Sequence, residues 1–186
     1  MPKNNRTKRY QKTEDKLYCA LRDFFRENGD TVTINTAAFC RKYGILEHTL
    51  YDHGTLDDLL RQMETTIRAD IKNIVKHGED QDDLSLVFFL VLLSVRKRRV
   101  FFDICEARHS SVLWEAAISE LRPRLTRLWE SNGAAADAAI FSICGAEITV
   151  VLRAWLMDGC PKEAEEEYVA RLVRLTSYAS KRLAGA

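Results

Sequence analysis

The sequence predicts an all-α fold of about nine helices, and three observations predict it. Apolar residues recur at three- and four-residue spacing along nearly every long segment. Breakers are few, three prolines and eight glycines in 186 residues. No pair of alternating segments joined by a turn reads as paired strands, and neither an internal repeat nor a low-complexity linker interrupts the pattern. The balance of 46% apolar and 30% charged residues suits a soluble globular chain with a substantial core.

In chain order, residues 1–12 carry Lys3, Arg6, Lys8, Arg9 and Lys12 with no acid among them. Such a cationic arm seeks phosphate or an anionic surface, a solvated terminus being the plainer alternative. The first helix is predicted from about Thr13 to Asn28, with Leu17, Leu21, Phe24 and Phe25 on one face and Gly29 as its stop. A second, short helix starts behind the cap residue Asn35 and ends at Gly44; a third runs from about Glu47 to His53. Gly54 and Thr55 break the chain, and Thr55 with Asp58 forms a capping-box pattern that opens the fourth helix. There Leu56, Leu59, Leu60, Met63, Ile67, Ile71 and Ile74 make one apolar stripe ending near Lys76.

The acidic stretch from Glu79 to Asp83 reads as a loop or helix start, and Leu84 to Val95 as a core helix, apolar all round. The basic cluster Arg96 to Arg99 reads as its solvated C-terminal end, where cations suit the helix dipole. Ser110 or Ser111 caps a further helix reaching Glu130, expected to kink or split at Pro123, which lacks the backbone N–H. Two last helices follow, from about Ala134 to Met157 and from behind Pro161 to about Arg182. Glu163, Glu165, Glu166 and Glu167 suit the positive end of the last one.

Five widely spread cysteines (Cys19, Cys40, Cys105, Cys144, Cys160) without a C-x-x-C pair favour reduced, mostly buried thiols over disulfides or zinc. Met1 to Lys16 is polar, unlike a secretory signal, and Leu84 to Val95 is too short for a bilayer. A cytoplasmic protein without a membrane partner is expected. No Gly-rich phosphate loop, H-E-x-x-H or G-x-S-x-G occurs, and His48, His53, His77 and His109 show no metal-ligand spacing. Neither catalysis, nor a cofactor, nor a metal is expected.

Residues 33–54, TINTAAFCRKYGILEHTLYDHG, are the most informative stretch. Two short helices joined by a tight turn at Gly44 form the helix-turn-helix pattern, whose second helix enters the major groove. The segment from Phe39 to Ile45, then Thr49-Leu50-Tyr51-Asp52-His53, resembles the signature of the TetR family of transcriptional regulators. The resemblance covers roughly residues 10–75 and returns weakly at Ala154 to Pro161. Three positions depart from the pattern. Gly54 replaces an aromatic after His53, Leu56 or Asp57 replaces a lysine, and Leu46 replaces the usual serine or threonine cap.

The resemblance implies a sequence-specific regulator, more often a repressor, relieved by a small effector. It also implies that Thr49, Tyr51 and His53 hold phosphates, fixing register without reading sequence. From their chemistry, Thr36 at the start of the second helix suits a phosphate, and Arg41 and Lys42 add backbone contacts beside Lys8 and Arg9 of the arm. Glu47, His48 and Asp52 are the candidates for base edges, Glu47 as an acceptor for a cytosine amino group. Leu50 reads as packing, and the Tyr51 ring as partly so.

Residues 1–55 are therefore read as the domain for double-stranded DNA, and 56–186 as a regulatory and dimerisation domain, with helix 56–76 connecting the two. Small residues among large ones on the last two helices predict a homodimer seam of Ala138, Phe141, Gly145, Ile148, Leu152, Trp155, Leu172, Leu175 and Tyr178. Phe88, Phe89, Phe102, Trp114 and Trp129 with His109 are the candidate lining for an apolar or aromatic effector, core packing being their alternative. The competing function is an interaction protein or coactivator that keeps the fold with weak or lost DNA binding.

Overall fold

A computed structural model describes residues 3–29, 34–52, 54–77, 84–133 and 138–184. They are all-α. The helices are α1 (Lys3–Asn28), α2 (Thr36–Tyr43), α3 (Glu47–Asp52), α4 (Leu56–His77), α5 (Leu84–Lys97), α6 (Arg99–Ala107), α7 (Val112–Ser131), α8 (Ala138–Met157) and α9 (Glu165–Ala184), with a 3₁₀ turn at Lys162–Ala164. Glu79 to Asp83, His53 and the expected start of α8 at Ala134 lie outside the described residues. α1 begins ten residues earlier than periodicity suggested, so the cationic arm is helical from Lys3.

Two compact units divide the chain, Met1–Thr65 with Val100–Leu113 and Thr66–Arg99 with Trp114–Ala186. The division falls inside α4, after Thr65, and α6 from Val100 onward joins the first unit. In that unit Leu17, Leu21 and Phe25 of α1 are almost fully buried, one helical turn apart. Tyr18 meets Phe101 of α6 edge-on at 4.7 Å, and Phe24 meets Phe39 of α2 at 5.7 Å. The buried Asp103 carboxylate on α6 pairs with the half-exposed Arg26 of α1 at 3.3 Å.

The Thr55–Asp58 capping box forms as read. The Thr55 N–H and hydroxyl donate to the Asp58 carboxylate at 2.8 and 2.7 Å, and the Asp58 N–H donates back to the hydroxyl at 3.2 Å. These bonds, the backbone one first, hold the Asp58 carboxyl below its ordinary 3.8. Thr55→Ala should lower the thermal midpoint by roughly 2–4 °C at neutral pH, as a lost cap does in a chain of this size. A depressed carboxyl stabilises the fold above its unfolded pKa and loses that contribution as pH falls through the folded one. The gap between wild type and variant should thus narrow as pH drops below 3.8 in melts compared across pH.

The second unit packs α5 and α8 against α9. Val87, Phe88, Val91, Leu92 and Val95 of α5 meet a core completed by Ile148, Leu152, Trp155 and Leu172, all nearly or fully buried. Gly145 lets α7 approach α8, because a Cβ there would stand 2.8 Å from Ile118 Cγ2. α7 runs unbroken through Pro123, so the chain does not split there. Leu121 and Leu125 on either side are buried at 1%, so packing carries the helix across the missing backbone bond. The basic end of α5 is likewise not merely solvated. Arg96 pairs with Glu165, Arg98 with Asp70 at 2.9 Å, and Arg99 donates to the Gly159 carbonyl at 3.3 Å.

Candidate functional site

Local chemistry builds the α2–α3 pair. The Asn35 side chain accepts the Ala38 N–H at 3.0 Å, opening α2. Gly44 closes it in the left-handed region, φ 60° and ψ 43°, which glycine adopts without strain. The Gly44 N–H and the Ile45 N–H (2.9 Å) both reach the Cys40 carbonyl, turning the chain so that Ile45 is buried. From α1, Lys16 donates to the Gly44 carbonyl at 2.5 Å and Glu27 pairs with Lys42. That bond to Glu27 is the main reason the Lys42 ammonium holds its proton more tightly than usual. Phe39 and Cys40 face inward, with Phe39 against Tyr43 at 5.0 Å.

The turn leaves one side of α3 open. Glu47, His48 and Asp52 are exposed, and so is Tyr51 at 66%. Leu50 is half-buried, as its packing role requires. Arg41 and Lys42 are exposed on α2, and Thr36 is half-buried at its start. Thr49 departs from expectation: at 9% exposure it packs inward and offers a duplex little surface. His53 lies outside the described residues, as do the side chains of Lys8 and Arg9 on α1. Gly54 has φ 85°, and a Cβ there would lie 2.7 Å from the Asp58 carboxylate, so the turn leaves no place for an aromatic. The open side thus groups two carboxylates, an imidazole and a phenol, hydrogen-bonding partners for base edges and phosphates, with no lysine or arginine on α3 itself.

Sequence reasoning missed two residues here. Nothing marked Lys16 as the clamp on the Gly44 turn. Leu46, read only as a missing cap, is 66% exposed at the mouth of α3, a position set by the turn.

The expected effector lining is corrected in the second unit, where Phe88, Trp114 and Trp129 are core residues at 0–1% exposure. Phe89 borders a surface groove of about 560 Å³ between α5 and α9 with Leu86, Val169 and Val173. In the first unit Phe102 is fully buried, and His109 is exposed on a turn with φ 53°.

The expected dimer seam is also corrected. Gly145, Ile148, Leu152, Trp155 and Leu172 are buried within the protomer, where α8 meets α7 and α9. Ala138 is exposed, Phe141 and Leu175 are half-buried, and the Tyr178 side chain lies outside the described residues. The outward side of α8 instead carries Ile143, Val150 and Met157, at 62, 67 and 81% exposure, with Ala146 between the first two and Ala139 one turn before them. Two residues along a helix turn it by about 200°, which is why an inward Gly145 leaves Ile143 outward. A groove of about 790 Å³ runs beside Val150 and Val151 of α8 and Val173 and Leu175 of α9. α8 is long and apolar enough by composition to cross a bilayer, but six of its residues pack inside the unit's core.

All five cysteines are free, four of them buried, and burial pushes the Cys144 thiol up to about 12. Comparison of the chain with family models, with curated proteins and with solved structures gives no match. The structure defines an all-helical protein in which a short-helix pair, braced on α1, presents a polar side to solvent.

Proposed function

We propose that the chain is a sequence-specific DNA-binding transcriptional regulator of the TetR type, working as a homodimer. The observation that carries this reading is the exposure of Glu47, His48, Tyr51 and Asp52 on one side of α3, while Phe39, Cys40, Ile45 and Thr49 pack inward. A helix whose polar side chains point outward, beside exposed Arg41 and Lys42, suits major-groove docking with flanking phosphate contacts. The exposed apolar stripe on α8 suits pairing with a second copy, and two copies bind a two-fold symmetric site.

Gel shifts with genomic fragments at rising salt test it. Phosphate-driven binding weakens steeply with salt. Tyr51→Phe should lower affinity roughly three- to tenfold on every duplex, the value of one ordinary hydrogen bond. His48→Ala should change which bases are preferred. Salt-insensitive retention, or two variants indistinguishable from wild type, would remove the assignment. One observation favours the competing reading of a protein-interaction module, namely that α3 carries Glu47 and Asp52 and no cation. Such a module would give no salt-dependent shift.

A further inference from the structure

Leu46 breaks two local rules at once. Its carbonyl accepts the Thr49 N–H at 2.9 Å, which makes it the cap position of α3, where a serine, threonine or aspartate would offer a side-chain oxygen to the first turn. It packs only in small part. It is 66% exposed, while its neighbours Ile45 and Thr49 are buried at 8% and 9%. An apolar side chain two-thirds exposed and without a capping oxygen adds little to this unit's stability, and such departures concentrate where a surface acts on something else.

The surroundings say on what. Glu47 and His48 follow it, both exposed, and exposed Arg41 on α2 supplies charge for a phosphate backbone beside Lys42, which pairs with Glu27. α3 itself has no arginine or lysine, so the commonest base contact, a cation on guanine O6 and N7, is absent from it. Among the residues that remain, Leu46 and Glu47 suit pyrimidines. A carboxylate accepts from the cytosine amino group, and an exposed isobutyl group matches the C5 methyl of thymine. Resting on the DNA-binding reading above, we infer that Leu46 is a specificity-determining residue that reads a thymine by its methyl group, next to a cytosine whose amino group faces Glu47.

The test uses the full chain. Bound duplexes are selected from a random library, and each thymine of the recovered site is replaced by deoxyuridine, which lacks only the methyl. One thymine per half-site should then weaken binding about fourfold, the value of one buried methyl group. Leu46→Ser and Leu46→Ala should bind the thymine and deoxyuridine duplexes equally. The serine variant should melt at or above the wild-type temperature, because serine restores the cap. A methyl dependence that persists in both variants, its absence in wild type, or a lower melting temperature for Leu46→Ser would overturn the assignment. If selection enriches no duplex, the DNA-binding reading itself falls and takes the thymine contact with it. An enriched site without methyl dependence removes only the thymine contact.

Discussion

Trp129→Ala is expected to destabilise the folded chain by about 3–5 kcal/mol, the range for emptying an aromatic site in a packed core. Trp129 is fully buried on α7, and its indole N–H donates to the Thr176 carbonyl on α9 at 3.3 Å. Its ring meets Phe141 of α8 at 6.4 Å, so one side chain joins three helices of the second unit. Truncation would leave a void and remove the indole's bond to the Thr176 carbonyl, two costs that add. Trp129→Phe keeps most of the volume and should cost roughly 1 kcal/mol for the lost bond, plus imperfect filling. Denaturant unfolding of both variants checks this. Had the tryptophan lined a ligand cavity instead, the alanine variant would stay within about 0.5 kcal/mol of wild type, as substitutions away from packed features do.

The second large effect concerns association. Ile143→Asp with Val150→Asp should turn the proposed dimer into a monomer in sedimentation and lower DNA affinity by orders of magnitude, since one half-site would then bind alone. Both residues are more than 60% exposed on the outward side of α8, so the substitutions leave the protomer core intact. Helical content should be unchanged. Leu152→Ala is the contrasting variant. Leu152 is fully buried within the protomer, and its truncation should cost about 2–5 kcal/mol of stability whether or not copies associate. A double variant that sediments like wild type would exclude this side of α8 as the contact between copies.

Much of the fold is legible because its signals are local. Asn35, Gly44, Thr55 with Asp58, and the Leu17–Leu21–Phe25 stripe each act within a turn or two of chain, and each has its expected place. α6 was not foreseen. Its nine residues follow α5 after a single turn residue, Arg98, and only their packing on α1, through Phe101 and Asp103, marks them as a separate element of another unit. The basic cluster looked solvated for a similar reason. The partners of Arg96 and Arg98, Glu165 and Asp70, lie 69 and 28 residues away, and no local pattern announces them.

At the candidate site, the sequence alone determined where the short helices begin and end and which polar residues α3 carries, because caps and turns are settled by neighbours in the chain. Tertiary structure decided which of those residues face out. Thr49 turns inward and Leu46 outward through the Gly44 turn, which α1 braces through Lys16. It also decided the sides of α8 and the place of the aromatics. Periodicity identifies a buried side only where polar residues mark the other one, and α8, apolar nearly all round, has too few polar marks to show which side meets α9.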